Sequence, residues 1–343
     1  MQRFPTILFT FSFAIITLFL LSNQCLGVPI LKESGKSTVS TKKVQRSSSL
    51  TVLGKYKDIS HHKSRSPEII LHFKNKNIKR QLSAKSVIII DAKNGDSLFS
   101  ISPDTPRQPA STIKIITGMI AIKSLSGNEP VSVSKRAARQ PRSKIYLDRR
   151  KTYKANDLID AVLLASANDA SVALAEKIAG TEKSFAKMMT VRAKIWGAKK
   201  TVCKTASGLT ARGQKSTARD LAMIFKHVMQ DDAFVKRIKR TKVRTSYGKL
   251  LRSHNKALWQ VKGTVGGKTG FTHAAQQTYV GKFKRDNQEI IIALMGSSRM
   301  WSDVKKLVKH GFFTIQHSSL AKKQNADPET IAVAEFSSVS NHL

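Results

Sequence analysis

Two short apolar runs separated by a turn signal mark the start of the ordered part of the chain. Residues 85–91 and 97–101 are rich in β-branched and other apolar residues, and Asn94-Gly95 lies between them. An Asn-Gly pair at such a position is typical of a β-hairpin, because both residues tolerate the positive φ angles of a tight turn. We therefore predict that the folded domain begins with a hairpin.

Apolar residues recur at helical spacing through the middle of the chain, whereas the last third returns to strand-like runs. Ser111 would lie in the first turn of the first helix, and Ser216 would cap the fourth. The pattern predicts helices over 109–121, 157–179, 182–196 and 217–229, strands over 267–272, 277–283 and 289–295, and a closing amphipathic helix over 303–316. Strands at both ends of a helical middle predict an α+β fold, with one sheet assembled from both ends of the domain.

The N-terminus follows the pattern of a secretory signal peptide. Arg3 precedes an apolar run over 7–21 that is short for a membrane span, and Cys25 and Gly27 supply small residues before a cleavage point. We predict a signal peptide over 1–27 and export to the periplasm or cell envelope, with an uncleaved membrane anchor as the alternative. Cleavage after Gly27 leaves Cys203 as the one remaining cysteine, so an intrachain disulfide is not expected.

The chain is strongly basic, which points to a negatively charged partner. It contains 60 Lys and Arg residues against 22 Asp and Glu residues, a formal net charge of +38. This excess favours a nucleic acid, an anionic membrane surface or an acidic cell-wall polymer. Export disfavours nucleic acid, and so does the lack of helix-turn-helix, RNP and zinc-finger patterns in the sequence. We therefore expect a cell-wall polymer or a membrane surface as the anionic partner.

Composition also predicts the domain boundaries. Residues 28–80 contain 13 Lys and Arg against three Asp and Glu and show little apolar periodicity. This segment is predicted to be a flexible basic linker, which either binds the anionic polymer or membrane or is only a solvated tether. The folded domain is predicted over 81–317, and a polar tail over 318–343.

A serine and a lysine three residues apart are the first candidate for chemistry. Ser111 and Lys114 lie at the front of an apolar helical run, so both side chains face the same side of the helix one turn apart. Burial lowers the pKa of a lysine, and a neutral amine can take the proton of a serine hydroxyl. Alone, the motif is also compatible with a capped helix carrying a solvated lysine.

Two further polar clusters lie later in the chain. Ser166 and Asn168 interrupt an otherwise apolar helical region, as a helix cap or kink would, or as groups for proton relay and substrate placement. Lys268, Thr269 and Gly270 follow Gly-Gly at the start of a predicted strand, where a cation and a hydroxyl can hold a carboxylate. A phosphate loop is excluded, since the G-x-x-x-x-G-K-[ST] spacing is absent.

The three clusters, in this order, form the serine–lysine acyl-transfer signature of penicillin-binding proteins and class A β-lactamases. The chain resembles the D-alanyl-D-alanine carboxypeptidases, the low-molecular-weight penicillin-binding proteins, from about residue 85 to residue 313. The resemblance extends to the stretches IIDAKNGDSLFSISPDTPRQPASTIKIITGMIA, SANDASVALAEKIAG, TASGLTARGQKSTARDLA and GGKTGFTHAA. It implies a β-lactamase-like fold, an antiparallel sheet flanked by helices with a helical subdomain.

The resemblance also implies a role for each candidate residue. Ser111 would be acylated with Lys114 as its base, and Ser166 and Asn168 would assist proton transfer and substrate placement. Lys268 and Thr269 would hold the terminal carboxylate, next to Gly270. The backbone N–H groups of Ser111 and Phe271 would form the oxyanion hole. One departure is Ala167, where the family often has glycine; it leaves both flanking functional side chains in place.

The implied function is serine-type D-Ala-D-Ala carboxypeptidase activity on peptidoglycan stem peptides, with β-lactams as covalent inhibitors. Alternatives are an endopeptidase for D-Ala-diaminopimelate crosslinks and a non-catalytic basic cell-wall-binding protein. A β-lactamase is disfavoured, because neither Glu176 nor Glu182 is placed to activate a deacylating water. No cofactor or metal is expected, since the nine histidines include no H-E-x-x-H pattern.

Overall fold

The protein was studied as a computed structural model, which describes residue 75 and residues 77–326, with side chains described as far as residue 317. The predicted signal peptide and most of the predicted linker and tail lie outside these residues. The strands are β1 (Ser86–Asp91), β2 (Ser97–Ile101), β3 (Pro130–Ser132), β4 (Thr152–Lys154), β5 (Lys242–Arg244), β6 (Leu250–Arg252), β7 (Thr264–Thr272), β8 (Gln276–Arg285) and β9 (Gln288–Ser297).

The helices occupy the middle and the end of the described chain. A single 3-10 turn, Ala110–Ile113, leads directly into α2. The helices are α1 (described over 77–81), α2 (Lys114–Ser124), α3 (Lys135–Ala138), α4 (Ala155–Leu163), α5 (Asn168–Ala179), α6 (Glu182–Ile195), α7 (Ala218–Val228), α8 (Asp232–Ile238), α9 (Ala257–Gln260) and α10 (Met300–Ala326).

A five-stranded antiparallel sheet organises the domain. Its strand order is β2-β1-β9-β8-β7, so β1 pairs with the last strand of the described residues, and Ile88 lies opposite Ala293. The predicted assembly of one sheet from both ends of the domain is therefore confirmed. Strand β7 is an edge strand, which leaves one side of its backbone available for contacts outside the sheet.

The two faces of the sheet pack against different helices. Alternate residues of β1 point to opposite faces, so Ile88 and Ile90 belong to a core shared with α2, α4, α5 and α7. Val87 and Ile89 belong to a second core shared with α10. All four β1 side chains are at most 1% exposed, and each buried side chain of this size contributes about 1.5–3 kcal/mol. This two-sided burial fixes the register of the central strands.

The sequence pattern predicted the five strands of the main sheet and the longer helices, but none of the short elements β3, β4, β5, β6, α3, α8 and α9. The helix predicted over 157–179 is two helices, α4 and α5, separated by a break at Ser166. The hydroxyl of Thr217, not of Ser216, caps α7 by accepting the Asp220 N–H. Helix α10 continues to Ala326, into the segment predicted as tail. Helix α1 lies in the predicted linker, where Ile78 is 7% exposed and packs in the core.

Candidate active site

Ser111 lies on the 3-10 turn that precedes α2, in a tightly packed and strained environment. Ala110 has a φ of +51°, a left-handed conformation that is rare for alanine, and it is fully buried. Gly270 of β7 passes close to this turn, and a Cβ on residue 270 would lie 2.8 Å from the Ser111 nitrogen. Strained backbone held by dense packing is typical of functional sites.

Lys114 is the first residue of α2 and is completely buried. Its Nζ lies 2.9 Å from Ser111 Oγ, 2.7 Å from Asn168 Oδ1 and 2.7 Å from the Ser207 carbonyl oxygen. Burial lowers the pKa of Lys114 well below its usual value; the nearby charge of Lys268 lowers it further, and Asp169 opposes the shift. A neutral amine donates its two N–H groups to the two carbonyl oxygens, which leaves its lone pair directed at the serine hydroxyl.

The Ser207 carbonyl is positioned by a buried network on the turn around residue 206. The Thr117 hydroxyl donates to the Ala206 carbonyl at 2.7 Å, and the Ala206 N–H donates to Glu182 Oε1 at 3.0 Å. Glu182 is 5% exposed and also accepts two hydrogen bonds from the guanidinium of Arg136. The sequence carries no signal for this network, because its contact with Lys114 is made by a backbone atom.

Ser166 and Asn168 lie at the break between α4 and α5. Ser166 has a φ of +57°, which turns the chain sharply and directs the next residues toward Lys114. Asn168 is 2% exposed; its Nδ2 donates to the Pro141 carbonyl at 3.0 Å while its Oδ1 accepts from Lys114. The carboxylate of the neighbouring Asp169 accepts backbone N–H groups from Ile145 and Leu147. Both residues therefore hold the loop before β4 against the site.

Lys268 is the second buried lysine, on the edge strand β7. It is 2% exposed, and its Nζ donates to Ser166 Oγ at 2.8 Å and to the Thr269 carbonyl at 3.1 Å. Burial lowers the pKa of Lys268 to about 7. The amine is thus close to its own midpoint near neutral pH, and an incoming carboxylate would favour its charged form.

A cavity of about 370 Å³ lies over these groups. Six of the eight predicted site residues line it: Ser111, Ser166, Asn168, Thr269, Gly270 and Phe271. The other two, Lys114 and Lys268, lie behind the wall and contact lining hydroxyls. The structure therefore brings all eight residues together around one opening. Phe271 is 56% exposed and forms part of the rim.

Other lining residues were not singled out by the sequence. Among them are Leu209, Trp301 and His254. His254 is exposed at the rim of the cavity, yet partial desolvation by its neighbours, with the charges of Lys268 and Lys114 as smaller causes, lowers its pKa to about 4. No motif spacing links His254 to the clusters, so only its place in the fold reveals it.

The site contains two serines, each beside a buried lysine, and an edge strand that passes over both pairs. This arrangement defines a serine–lysine acyltransferase site. An α+β domain with this site belongs to the penicillin-interacting serine enzymes. A model of the D-alanyl-D-alanine carboxypeptidase family matches residues 73–299, and the chain belongs to that family. The predicted family is therefore confirmed.

Relatives with similar sequences carry the same description. The chain is 30% identical over 240 residues to D-alanyl-D-alanine carboxypeptidase DacB2 of Mycobacterium tuberculosis, covering 67% of this chain and 82% of the relative. It is 31% identical over 230 residues to DacF of Bacillus subtilis, covering 63% of this chain. The match spans 58% of the length of the Bacillus protein, less than two thirds of it.

Solved structures confirm the predicted fold. A D-alanyl-D-alanine carboxypeptidase of Mycobacterium tuberculosis superimposes with a TM-score of 0.63 at 29% identity, covering 67% of this chain and 91% of the other. Penicillin-binding protein D2 of Listeria monocytogenes, solved with ampicillin bound, gives a TM-score of 0.62 at 29% identity and covers 67% and 98%. No helix within residues 77–326 is long and apolar enough to cross a membrane.

Proposed function

We propose that the protein is a serine-type D-Ala-D-Ala carboxypeptidase that acts on peptidoglycan stem peptides through an acyl-enzyme on Ser111. The observation that carries this proposal is the environment of Lys114. Its amine is fully buried and its pKa is lowered. The carbonyl oxygens of the Asn168 side chain and of Ser207 accept hydrogen bonds from it. Nζ lies 2.9 Å from Ser111 Oγ, so in the neutral amine the remaining lone pair faces the serine hydroxyl at the distance of a general base from its nucleophile.

The first step forms the acyl-enzyme. Lys114 accepts the proton of the Ser111 hydroxyl while Oγ attacks the carbonyl carbon of the penultimate D-Ala. The oxygen of that carbonyl becomes negatively charged, and the backbone N–H groups of Ser111 and Phe271 stabilise it. Both residues line the cavity, which supports this placement of the oxyanion hole.

Collapse of the tetrahedral intermediate breaks the amide bond and releases the terminal D-Ala. The leaving nitrogen takes up the proton that Lys114 removed from Ser111, relayed through the hydroxyl of Ser166, which accepts a hydrogen bond from Lys268. The terminal carboxylate is held by Lys268 and Thr269, and its charge favours the protonated form of Lys268. Asn168 orients both Lys114 and the substrate amide. Water then hydrolyses the Ser111 ester, with the serine oxygen recovering its proton.

The same chemistry accounts for the proposed partners and location. A β-lactam carries a strained amide and a carboxylate, so it would acylate Ser111 and bind Lys268 and Thr269 in the same way. The predicted signal peptide over 1–27 supports export to the periplasm or cell envelope, where stem peptides are found. The basic segment over 28–80 would then keep the enzyme near an anionic cell-wall polymer or membrane surface. No cofactor enters this mechanism.

The proposal is tested by measuring intact mass after incubation of the purified chain with penicillin. Wild type should gain one penicilloyl group and Ser111→Ala none. The same two proteins are then given a pentapeptide ending in D-Ala-D-Ala, and free D-Ala should appear with wild type only. Absence of both the adduct and D-Ala release would leave the non-catalytic wall-binding alternative.

The endopeptidase alternative calls for a separate measurement. Purified crosslinked muropeptide dimers and uncrosslinked pentapeptides should be offered in competition, and the products separated by mass. The carboxypeptidase assignment, which the family membership favours, predicts loss of one D-Ala as the dominant product. Cleavage of dimers to monomers at an equal or higher rate would overturn it.

A further inference from the structure

A second cavity adjoins the candidate active site. It has a volume of about 570 Å³ and lies between the β5–β6 hairpin and α9. His254 lines both this cavity and the active-site cavity, so the two openings are neighbours on one surface. A D-Ala-D-Ala terminus bound over Ser111 fills the first cavity and leaves the second free for a more distant part of the substrate.

The second cavity is lined by positive charge. Lys242, Arg252 and Lys256 line it and are exposed, and no carboxylate is present among the described lining residues. Lys242 and Arg252 lie directly opposite each other on paired strands. Like charges at such positions destabilise a hairpin. An anion placed between them would remove the repulsion.

The cavity also contains a large flat apolar surface. The indole of Trp259 on α9 is 55% exposed and lines the cavity beside Lys256. An exposed tryptophan offers an apolar face for a sugar ring or an aliphatic peptide segment and an N–H group for a hydrogen bond. Cations around an open indole therefore suit a ligand that is both anionic and ring-bearing.

We propose that this cationic cavity is a second substrate-binding subsite, which takes a carboxylate-bearing saccharide–peptide portion of the cell-wall polymer while the D-Ala-D-Ala terminus occupies the first cavity. The nature of the polymer rests on the function proposed above. Lys242 and Arg252 hold the carboxylate, and Trp259 packs against the ring. The subsite gives the enzyme preference for polymeric substrate over free dipeptide.

The test measures binding without turnover, in the Ser111→Ala background. Calorimetry compares a soluble disaccharide pentapeptide with N-acetyl-D-Ala-D-Ala. Addition of Lys242→Ala and Arg252→Ala should weaken binding of the disaccharide pentapeptide about 10- to 100-fold, since charge-assisted hydrogen bonds are lost, and leave the dipeptide unchanged. Addition of Lys183→Ala and Lys187→Ala, two exposed cations on α6, removes the same charge elsewhere and should have no such effect.

Two further measurements identify what the cavity holds. Binding should quench tryptophan fluorescence. Trp259→Phe should remove this quenching, whereas Trp196→Phe, at a residue that lines neither cavity, should retain it. Inorganic phosphate and polyphosphate are used as competitors at equal charge. If polyphosphate displaces the disaccharide pentapeptide, the cavity prefers a phosphate polymer to a carboxylate ligand, and the proposal is overturned.

The outcomes separate the subsite from the catalytic proposal. Equal binding of the disaccharide pentapeptide by the parent and the Lys242/Arg252 variant would overturn the subsite, even where wild type forms the penicilloyl adduct. A selective loss of binding would support the subsite, even where wild type forms no adduct and the catalytic proposal falls. An equal loss for both ligands, in a variant with an unchanged melting temperature, would also overturn it.

Discussion

Gly270 on β7 lies against the backbone nitrogen of Ser111, at a distance that leaves no room for a side chain. A Cβ at residue 270 would stand 2.8 Å from that nitrogen, 2.5 Å from the Thr278 hydroxyl and 3.0 Å from the Ala110 Cβ. Two of these neighbours belong to the turn that carries the serine. The edge strand and the nucleophile are therefore in direct contact, and the absence of one methyl group permits it.

Gly270→Ala should separate β7 from the Ser111 turn and misplace the nucleophile. We expect acylation by penicillin to fall about 100-fold or more and the free energy of unfolding to fall by about 1–3 kcal/mol. Time-resolved mass spectrometry and urea unfolding measure the two effects. Gly180→Ala is the control for acylation only: that glycine has open space around it, but its φ of +72° strains any side chain, so this variant should lose stability and still acylate normally. A Gly270→Ala protein that acylates at the wild-type rate would contradict the contact.

Lys114→Met removes the amine but keeps an unbranched side chain of similar length. Acylation by penicillin should fall about 10²- to 10⁴-fold, the usual contribution of a general base, while the fold is retained. The control is Lys123→Met, on the same helix but with a side chain that is 60% exposed. If both variants lose acylation equally, the effect comes from replacing a lysine by methionine in this helix and not from loss of the general base.

The pKa of Lys268, lowered to about 7 by burial, should appear in the pH dependence of catalysis. Its protonated form holds the substrate carboxylate, so kcat/KM should decline above about pH 7. As the pH falls, protonation of Lys114 should also decrease kcat/KM, because the protonated amine cannot act as a base. The pH profile of kcat/KM should therefore be bell-shaped. Lys268→Arg stays charged and should lose the alkaline decline. An unchanged alkaline limb in that variant would assign it to another group.

The same shift predicts a dependence of stability on pH. Lys268 has a pKa of about 7 in the folded protein and about 10.4 when unfolded. Between these values the unfolded state binds a proton that the folded state does not, so the free energy of unfolding should rise with pH, by at most about 1.4 kcal/mol per unit. Urea unfolding from pH 7 to 9.5 measures the slope. Lys268→Met should have a smaller slope, and an equal one would refute the assignment.

Glu182 is predicted to be a positioning residue for the base. Glu182→Ala removes the acceptor of the Ala206 N–H, so the adjacent Ser207 carbonyl should lose its alignment with Lys114. We expect kcat to fall about tenfold with little change in KM, because the substrate is not contacted. Arg136→Ala is the comparison; its side chain is 65% exposed, so its loss should cost much less. A KM effect without a kcat effect would contradict this role.

The sequence was sufficient to predict the side chains of the site but not the backbone groups that support them. Ser111 and Lys114 share a helical face because their spacing is one turn, and that relationship is local. The Ser207 carbonyl reaches Lys114 only through tertiary packing, and a carbonyl oxygen has no signature in the sequence. The cavity that contains His254 is likewise formed by the meeting of distant segments.

Local patterns also account for the two helix predictions that were wrong. The apolar periodicity on both sides of Ser166 predicts one helix, whereas Ser166 adopts a left-handed conformation and its hydroxyl accepts a hydrogen bond from Lys268 of a distant strand. Ser216 and Thr217 are both suitable caps; the hydroxyl of Ser216 instead bonds with that of Thr201 in the core. In both places tertiary contacts determine the local backbone.

The pairing of β1 with β9 at the centre of the sheet has a consequence for biosynthesis. Ile88 pairs with Ala293, so the central strands meet only after the ribosome has made nearly the whole domain. A growing chain that already contains Ser111 and Lys114 has neither the edge strand nor its support, and contacts of such long range form late. We therefore expect a chain that ends before β9 to lack the assembled sheet on which the candidate site depends.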